Sequence, residues 1–343
     1  MITTSLHRIR LANRADRKGI LDFIRDYWNP DHIYLKSESL FDFDLVHGDK
    51  INFLLAFDQR DNIDGILGFI PYTAEYEESD VFSVLWMVKP RNGDPTLGIS
   101  LLRALIEDMG FRSVSTVGAN PKTLPIYEFL GYSTGQLRHH FILNDQLSSF
   151  SLIQPADNLP RAGSASKTGS ALKEYSTYGE LAHHFDPTSY RDRPPYKSPW
   201  YLERRYFRHP VYKYMVFHIT RNGTDTNSII VTRLVRKDNA AVLRMVDFIG
   251  EPADLEGIAL PIRDLLRRNA CEYLDFYQHG IANEILQKAG FLSKDDYPGL
   301  VIPNHFEPFD AKNIAIHFFT ARQGDICLFK ADGDQDRPNR STW

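Results

Sequence analysis

The chain has 343 residues, and its 40 Lys and Arg against 44 Asp and Glu give a formal net charge of -4, a balance that offers no reason to expect a nucleic-acid partner. With 43% hydrophobic and 24% charged residues it has the composition of a globular protein, long enough for two domains that each bury a core. Cys271 and Cys327 are the only cysteines, which excludes a disulfide framework, and no apolar run reaches the length of a signal-peptide core or a membrane span; a cytoplasmic protein is expected.

In chain order, a short strand at Arg8 to Leu11 precedes a helix entered near Asp16, where Ile20, Leu21, Ile24 and Trp28 recur at helical spacing and Asn29-Pro30 stops the run. Three strand-like runs follow, Asn52 to Phe57, Gly65 to Pro71 and Val81 to Val88, separated by Asp, Asn and Gly turn residues. A helix is expected from Thr96 to Met109, with Leu97, Leu101, Leu102 and Leu105 on one apolar face and Gly110 ending it. Ser113 to Val117 reads as a short buried strand, a second helix leads to Gly131-Tyr132, and Gln136 to Leu143 is expected to close the sheet.

The stretch from Val84 to Leu105 joined to Asn120 to Tyr132 resembles the GCN5-related N-acetyltransferase family. Gly98-Ile99-Ser100 matches the end of that family's Gly-rich loop, with Ser for the last small residue and with Arg91 and Gly93 further upstream than usual. The first turn of a helix carries unpaired N–H donors and the positive end of the dipole, so it suits a phosphate. Asp94 and Pro95 depart from the pattern, adding a negative charge and removing a donor. Asn120, Tyr127 and Gly131-Tyr132 resemble the family's second signature. The resemblance implies an acetyl-CoA or other acyl-CoA donor held by Val88, Arg91, Gly93, Leu97, Gly98, Ile99, Ser100 and Asn120. It also implies that Tyr127 protonates the departing thiolate.

Residues 148 to 173, rich in Ser, Ala, Gly and Pro, read as a linker between a first domain at 1–147 and a second at 174–343. Beyond it the order repeats in outline: strands at Ser228 to Arg236 and Ala241 to Gly250, a helix from Ala253 to Asn269, a strand at Glu272 to Tyr277, a helix from Ile281 to Lys288, and Gly290-Phe291 in the place of Gly131-Tyr132. The expected fold is α+β: two tandem acetyltransferase-like domains, each a mixed, mostly antiparallel sheet flanked by helices. The second carries a degenerate loop, because Gly250-Glu251-Pro252-Ala253-Asp254 has one Gly and two carboxylates that would repel phosphate.

Within 197–210, aromatic residues alternate with Arg and His. Trp200 and Arg204 could stack on and grip an acceptor; equally, the run is an entry helix whose Trp200, Leu202, Tyr206 and Phe207 pack on the sheet while its arginines are solvated. The tail with Asp332, Asp334 and Asp336 lacks the distal Glu of a calcium loop, so no metal is expected and a solvated tail is the simpler reading. If it folds back, Asp334 or Asp336 would position a polar acceptor. For the general base, Glu75 is selected from the Glu75, Glu77 and Glu78 turn.

These readings lead to an acyl-CoA-dependent N-acyltransferase acting on a small-molecule amine. An amino sugar is favoured by the Arg-rich second half and by similarity to tandem acetyltransferase-like proteins of bacterial surface polysaccharide synthesis. The alternatives are a peptidyltransferase fed by aminoacyl-tRNA and a non-catalytic binding module.

Overall fold

The computed structural model describes residues 2–3, 7–91, 93–155 and 169–338. Its first half runs β1 (Ile2–Thr3), β2 (Arg8–Asn13), α1 (Arg17–Phe23), α2 (Ile33–Lys36), α3 (Glu38–Leu45), β3 (Val46–His47), β4 (Lys50–Phe57), β5 (Ile63–Pro71), β6 (Asp80–Val88), α4 (Leu97–Arg103), β7 (Ser113–Val117), α5 (Leu124–Phe129), β8 (Ser133–Gln136) and β9 (Arg138–Leu143). Local chemistry sets the ends. The Asn13 side chain accepts from the Ala15 N–H, and Asp16 accepts in return from the Asn13 N–H, so the chain turns directly from β2 towards α1. The Ser37 hydroxyl caps α3 by accepting from the Leu40 N–H, and Gly110 takes a left-handed φ of 73° after the α4 segment.

The second half runs β10 (Ser170–Tyr175), α6 (Tyr178–Leu181), α7 (Pro199–Leu202), β11 (Met215–Arg221), β12 (Thr224–Lys237), β13 (Ala240–Ile249), α8 (Ala259–Arg268), β14 (Tyr273–His279), α9 (Asn283–Lys288) and β15 (Leu292–Ser293). It ends with a small hairpin of β16 (His305–Phe306) and β17 (Phe309–Asp310), then β18 (His317–Thr320) and β19 (Leu328–Phe329). Strand β10 starts inside the stretch read as a linker, whose residues 156–168 lie outside the described set. The α8 helix begins at Ala259, later than the expected Ala253, because Pro252–Leu255 forms a separate tight turn.

Two large sheets result. The first has the order β1-β2-β4-β5-β6-β7-β18-β8 and the second β10-β11-β12-β13-β14-β9-β15. Each therefore borrows a strand from the other half. Strand β18 inserts between β7 and β8, antiparallel to both, while β9 inserts between β14 and β15. The expectation that Gln136 to Leu143 closes the first sheet is thus corrected: β8 stays in it, and β9 crosses to the other. The exchange is stable because each strand carries apolar side chains into the host core; Phe141 and Ile142 are buried in the second half, and Phe318 and Phe319 in the first.

Helices α4 and α5 cover the outer face of the first sheet, and α8 and α9 that of the second. The largest core lies between the sheets, where α1, α3 and α7 bring Ile20, Phe41 and Tyr201 together with Val216, Val231 and Val246. Both halves thus contribute to one interior.

Candidate functional site

Parallel pairing of β6 with β7 extends only over Asp80 with Ser113, Val81 with Val114 and Phe82 with Ser115. The Thr116 hydroxyl still donates to the Ser83 carbonyl at 2.7 Å; beyond it the ladder between the two strands stops. On its other side β6 pairs Val84 with Gly68 and then Met87 with Ile66, so Leu85 and Trp86 face Leu67 alone. This is a bulge, and Leu85 adopts φ 49° within it. A splayed parallel pair with a kinked strand leaves backbone donors and acceptors facing a gap, where an extended ligand could pair.

At the open end of the gap stands the first turn of α4. Trp86 Nε1 donates to the Gly98 carbonyl at 3.1 Å, and Gly98, Ile99, Ser100 and Val88 are half-buried there. Arg91 and Gly93 are exposed in left-handed conformations. Leu97 is the exception among the expected donor contacts: its side chain lies in the core, and its N–H reaches the Asp94 carbonyl at 3.3 Å. It is corrected to a packing residue. The Asp94 carboxylate accepts from the Thr96 N–H at 2.9 Å and hydroxyl at 2.7 Å and lies 3.6 Å from His7. The Thr96 hydroxyl bond above all holds its pKa below the usual range. A carboxylate therefore already sits beside this helix end.

Asn120 is exposed and spends its side chain capping the Lys122 N–H at 3.0 Å. Tyr127 is only 3% exposed. Its ring stacks on Phe319 of the borrowed β18 at 3.9 Å and lies 5.7 Å from Trp86. Burial pushes the Tyr127 phenol up to about 12. Glu75, chosen as base, is exposed on the turn between β5 and β6.

The C-terminal segment is the main departure from expectation. It is not solvated: Asp332 and Asp336 are buried. Lys197 bridges Asp332 at 2.7 Å and Asp247 at 2.6 Å. Asp336 receives Arg205, Arg233 at 3.0 Å and the Tyr214 hydroxyl at 2.8 Å. Asp336 is therefore a structural counter-ion, which corrects its assignment to acceptor binding. Among the described residues no group of three potential ligands could hold a metal.

This segment threads both splayed pairs. In the second sheet Phe329 and Leu328 pair with Gln278 and His279, and the Ala331 N–H reaches the Val246 carbonyl at 3.0 Å. In the first, Gly333 bridges Val117 at the end of β7. That places Asp334 against Gly118, where any Cβ would overlap its carboxylate. Asp334 is exposed, its Oδ1 accepts from the Gln335 side-chain amide at 3.0 Å, and the chain packed around it pushes its carboxyl up to about 6.

In the second half, a cavity of about 740 Å³ opens between the ends of β13 and β14, with Phe248, Ile281 and Phe329 as apolar walls and Arg193 and Arg322 among its polar lining. Arg193 pairs with Glu251 at 2.7 Å, and Ser228 donates to Asp254 at 2.6 Å, so both loop carboxylates have local partners. Sequence reading missed this cleft. Its available signal was Gly257-Ile258-Ala259 opening α8, a Gly-x-small pattern further along than the Gly250 loop taken as the counterpart. Trp200 and Arg204 lie elsewhere, with His47 in a narrow cavity between the halves.

Two solved structures share this arrangement. A GCN5-related N-acetyltransferase from Anabaena variabilis ATCC 29413 superposes with a TM-score of 0.56 at 10% identity, over 92% of this chain and 72% of that one. A conserved protein from Enterococcus faecalis V583 gives 0.55, also at 10% identity and the same coverage. The fold is that of the GCN5-related N-acetyltransferases, in tandem. No family model matches the sequence, and no curated protein matches it either. In acetyltransferase terms, β6, β7, α4 and α5 form the frame of the first domain, and β13, β14, α8 and α9 that of the second. Leu286 stands in α9 where α5 has Tyr127, counting back from Gly290 and Gly131.

Proposed function

We propose that the protein is an acyl-CoA-dependent N-acyltransferase whose first domain receives the donor and whose acceptor is a small polar amine, with an amino sugar as the leading class. One observation carries the reading: the kinked β6 parts from β7 next to the first turn of α4, with Tyr127 on the adjoining helix. Gly98 suits the role, since the nearest atoms to a Cβ there are those of the Trp86 ring, at 3.5 Å. Asp94 opposes it and must move away from an incoming phosphate.

A bound donor supplies an activated acyl thioester. Attack by nitrogen requires a neutral amine, so a base must take its proton. We place Asp334 in this role ahead of Glu75 because it stands against Gly118 at the end of β7, beside the gap, and its raised carboxyl, at about 6, is still ionised near neutrality. Tyr127 retains its proton up to about 12 and can serve as the donor on the leaving side. Backbone N–H groups at the bulge would polarise the carbonyl.

The cleft of the second domain favours a second reading, in which the donor lies between β13 and β14, with Arg193 and Arg322 in the lining. Leu286 in place of Tyr127 weighs against it. Calorimetric titration with acetyl-CoA separates the two. Binding near one equivalent that is lost in Gly98→Phe supports the first domain. Binding that survives Gly98→Phe but is lost in an Arg193→Ala, Arg322→Ala double variant moves the donor to the second. No binding at all removes the acyl-CoA reading.

A further inference from the structure

Between the two halves, a narrow cavity has Asp44, Asn52, Tyr201, Arg204, Arg205 and Arg337 among its polar lining. Its volume of about 20 Å³ admits one or two non-hydrogen atoms. The chemistry of its wall is lopsided. Arg204, Arg205 and Arg337 line it, with Arg233 behind them; burial first and these four guanidinium groups second hold His209 neutral, and the four are faced by Asp44 in the wall and by Asp336 and Glu307 behind it. Four guanidinium groups thus meet three carboxylates.

Donor atoms are left over in the same place. Arg205 is 1% exposed, and its Nε and Nη1 have no hydrogen-bond partner among the described residues; nor do Arg337 Nε and the Tyr201 hydroxyl. Arg205 meets Asp336 through Nη2 and Arg337 meets Asp44 through Nη1, so the remaining N–H groups of these buried cations still call for an acceptor. Burial lowers the pKa of Arg204, against the opposing pull of Asp44.

The cavity lies close to the proposed reaction centre. The Arg337 guanidinium sits over the Phe82 ring at 5.0 Å, and Phe82 is the last β6 residue paired with β7 before the strands part. Ile70, which pairs with Phe82, lines the cavity as well.

We infer that this cavity binds a carboxylate carried by the acceptor itself, so that the substrate is an amine with an acidic group close by, as in an amino-uronic acid or an amino acid. The inference rests on the acyltransferase reading for the acceptor's role, and on the unpartnered donors for the carboxylate. The small volume takes no more than the two oxygens of a carboxylate and excludes a diphosphate. Guanidinium groups and a phenol supply the donors that a carboxylate takes up.

Acetate and its neutral isostere acetamide are the probes, titrated into the full chain at constant ionic strength by calorimetry and thermal unfolding. Acetate should bind saturably and raise the Tm, and acetamide should not. Tyr201→Phe breaks no internal hydrogen bond seen here and should weaken acetate about tenfold; Arg337→Gln should weaken it further. In turnover assays with acetyl-CoA, 2-amino-2-deoxyglucuronate should show a KM at least tenfold below that of glucosamine. That advantage should shrink in Tyr201→Phe with kcat little changed, and acetate should inhibit competitively. Equal responses to acetate and acetamide overturn the site. Acetate that stabilises the fold without competing makes the site a structural anion site and overturns its assignment to the acceptor. Failure of acetyl-CoA to bind would sink the acyltransferase reading alone, since the acetate titration is read without it.

Discussion

Asp334 shows how far one residue depends on distant chain. Its carboxyl is raised to about 6 by the chain packed around it, above the ~3.9 of a free Asp. The folded protein therefore holds this proton more tightly than the unfolded chain does, and this group's contribution to stability falls as pH rises between those values. As a base it must be ionised, so the sign for activity is opposite: kcat/KM should climb through about pH 6. Asp334→Asn should lower kcat by about 10²-fold or more and abolish that limb while leaving stability at pH 7 equal or higher; a pH–rate profile unchanged by the substitution removes Asp334 from the mechanism. Sequence made Asp334 visible only as one of three alternating aspartates. What distinguishes it from Asp332 and Asp336 is the partner of each: Lys197 for one, Arg205 and Arg233 for another, and the bare Gly118 for Asp334. Those contacts join positions far apart in the chain, and no local pattern encodes them.

At the scale of elements, strands β4, β5, β6 and β7 and helix α4 were legible because apolar period and turn residues are local properties. The partner of each strand was not. Strands β8 and β9 are separated only by Leu137, yet they lie in different sheets, and both read as acceptable β segments. Among the arginines of 197–210, Arg208 is exposed as the solvated reading has it, but Arg205 was misread for a similar reason. Arg205 follows the helical pattern of a solvated residue, and is buried only because Asp336 returns to meet it. The tail is the element that joins the two splayed pairs, and Gly333 is its tightest point, because a Cβ there would overlap the Val117 backbone carbonyl. Its φ of -174° is ordinary extended backbone, so the constraint is steric alone. Gly333→Ala should cost about 1–3 kcal/mol, read as a lower denaturant midpoint at unchanged slope. Gly299→Ala, with nothing within 4 Å of the new Cβ, should shift it by no more than about 0.5 kcal/mol. Equal effects at the two glycines would mean that the tail is not held against β7.

For the whole molecule, the reciprocal exchange makes two sequence-consecutive halves into one folding unit. Removed from the second half, β7 and β8 lose the strand between them, and Tyr127 loses the Phe319 ring on which it stacks. Without the first half, β14 and β15 lose β9 and the burial of Phe141 and Ile142. Each half would also expose its share of the core between the sheets and leave charges such as Arg205 or Asp44 next to solvent or to nothing. Expressed alone, residues 1–155 and 169–343 should therefore aggregate or lack a cooperative unfolding transition, since a sheet interrupted at an internal strand presents two unpaired edges. Co-expressed, they should purify as a one-to-one complex with a single transition, because the cut falls outside every strand and helix described. Two soluble halves, each unfolding cooperatively and showing no affinity for the other, would refute the exchange. A complex that forms but fails to turn over any amine would keep the fold and direct attention to the tail, whose Gly333 and Asp334 must then reach β7 from a separate chain.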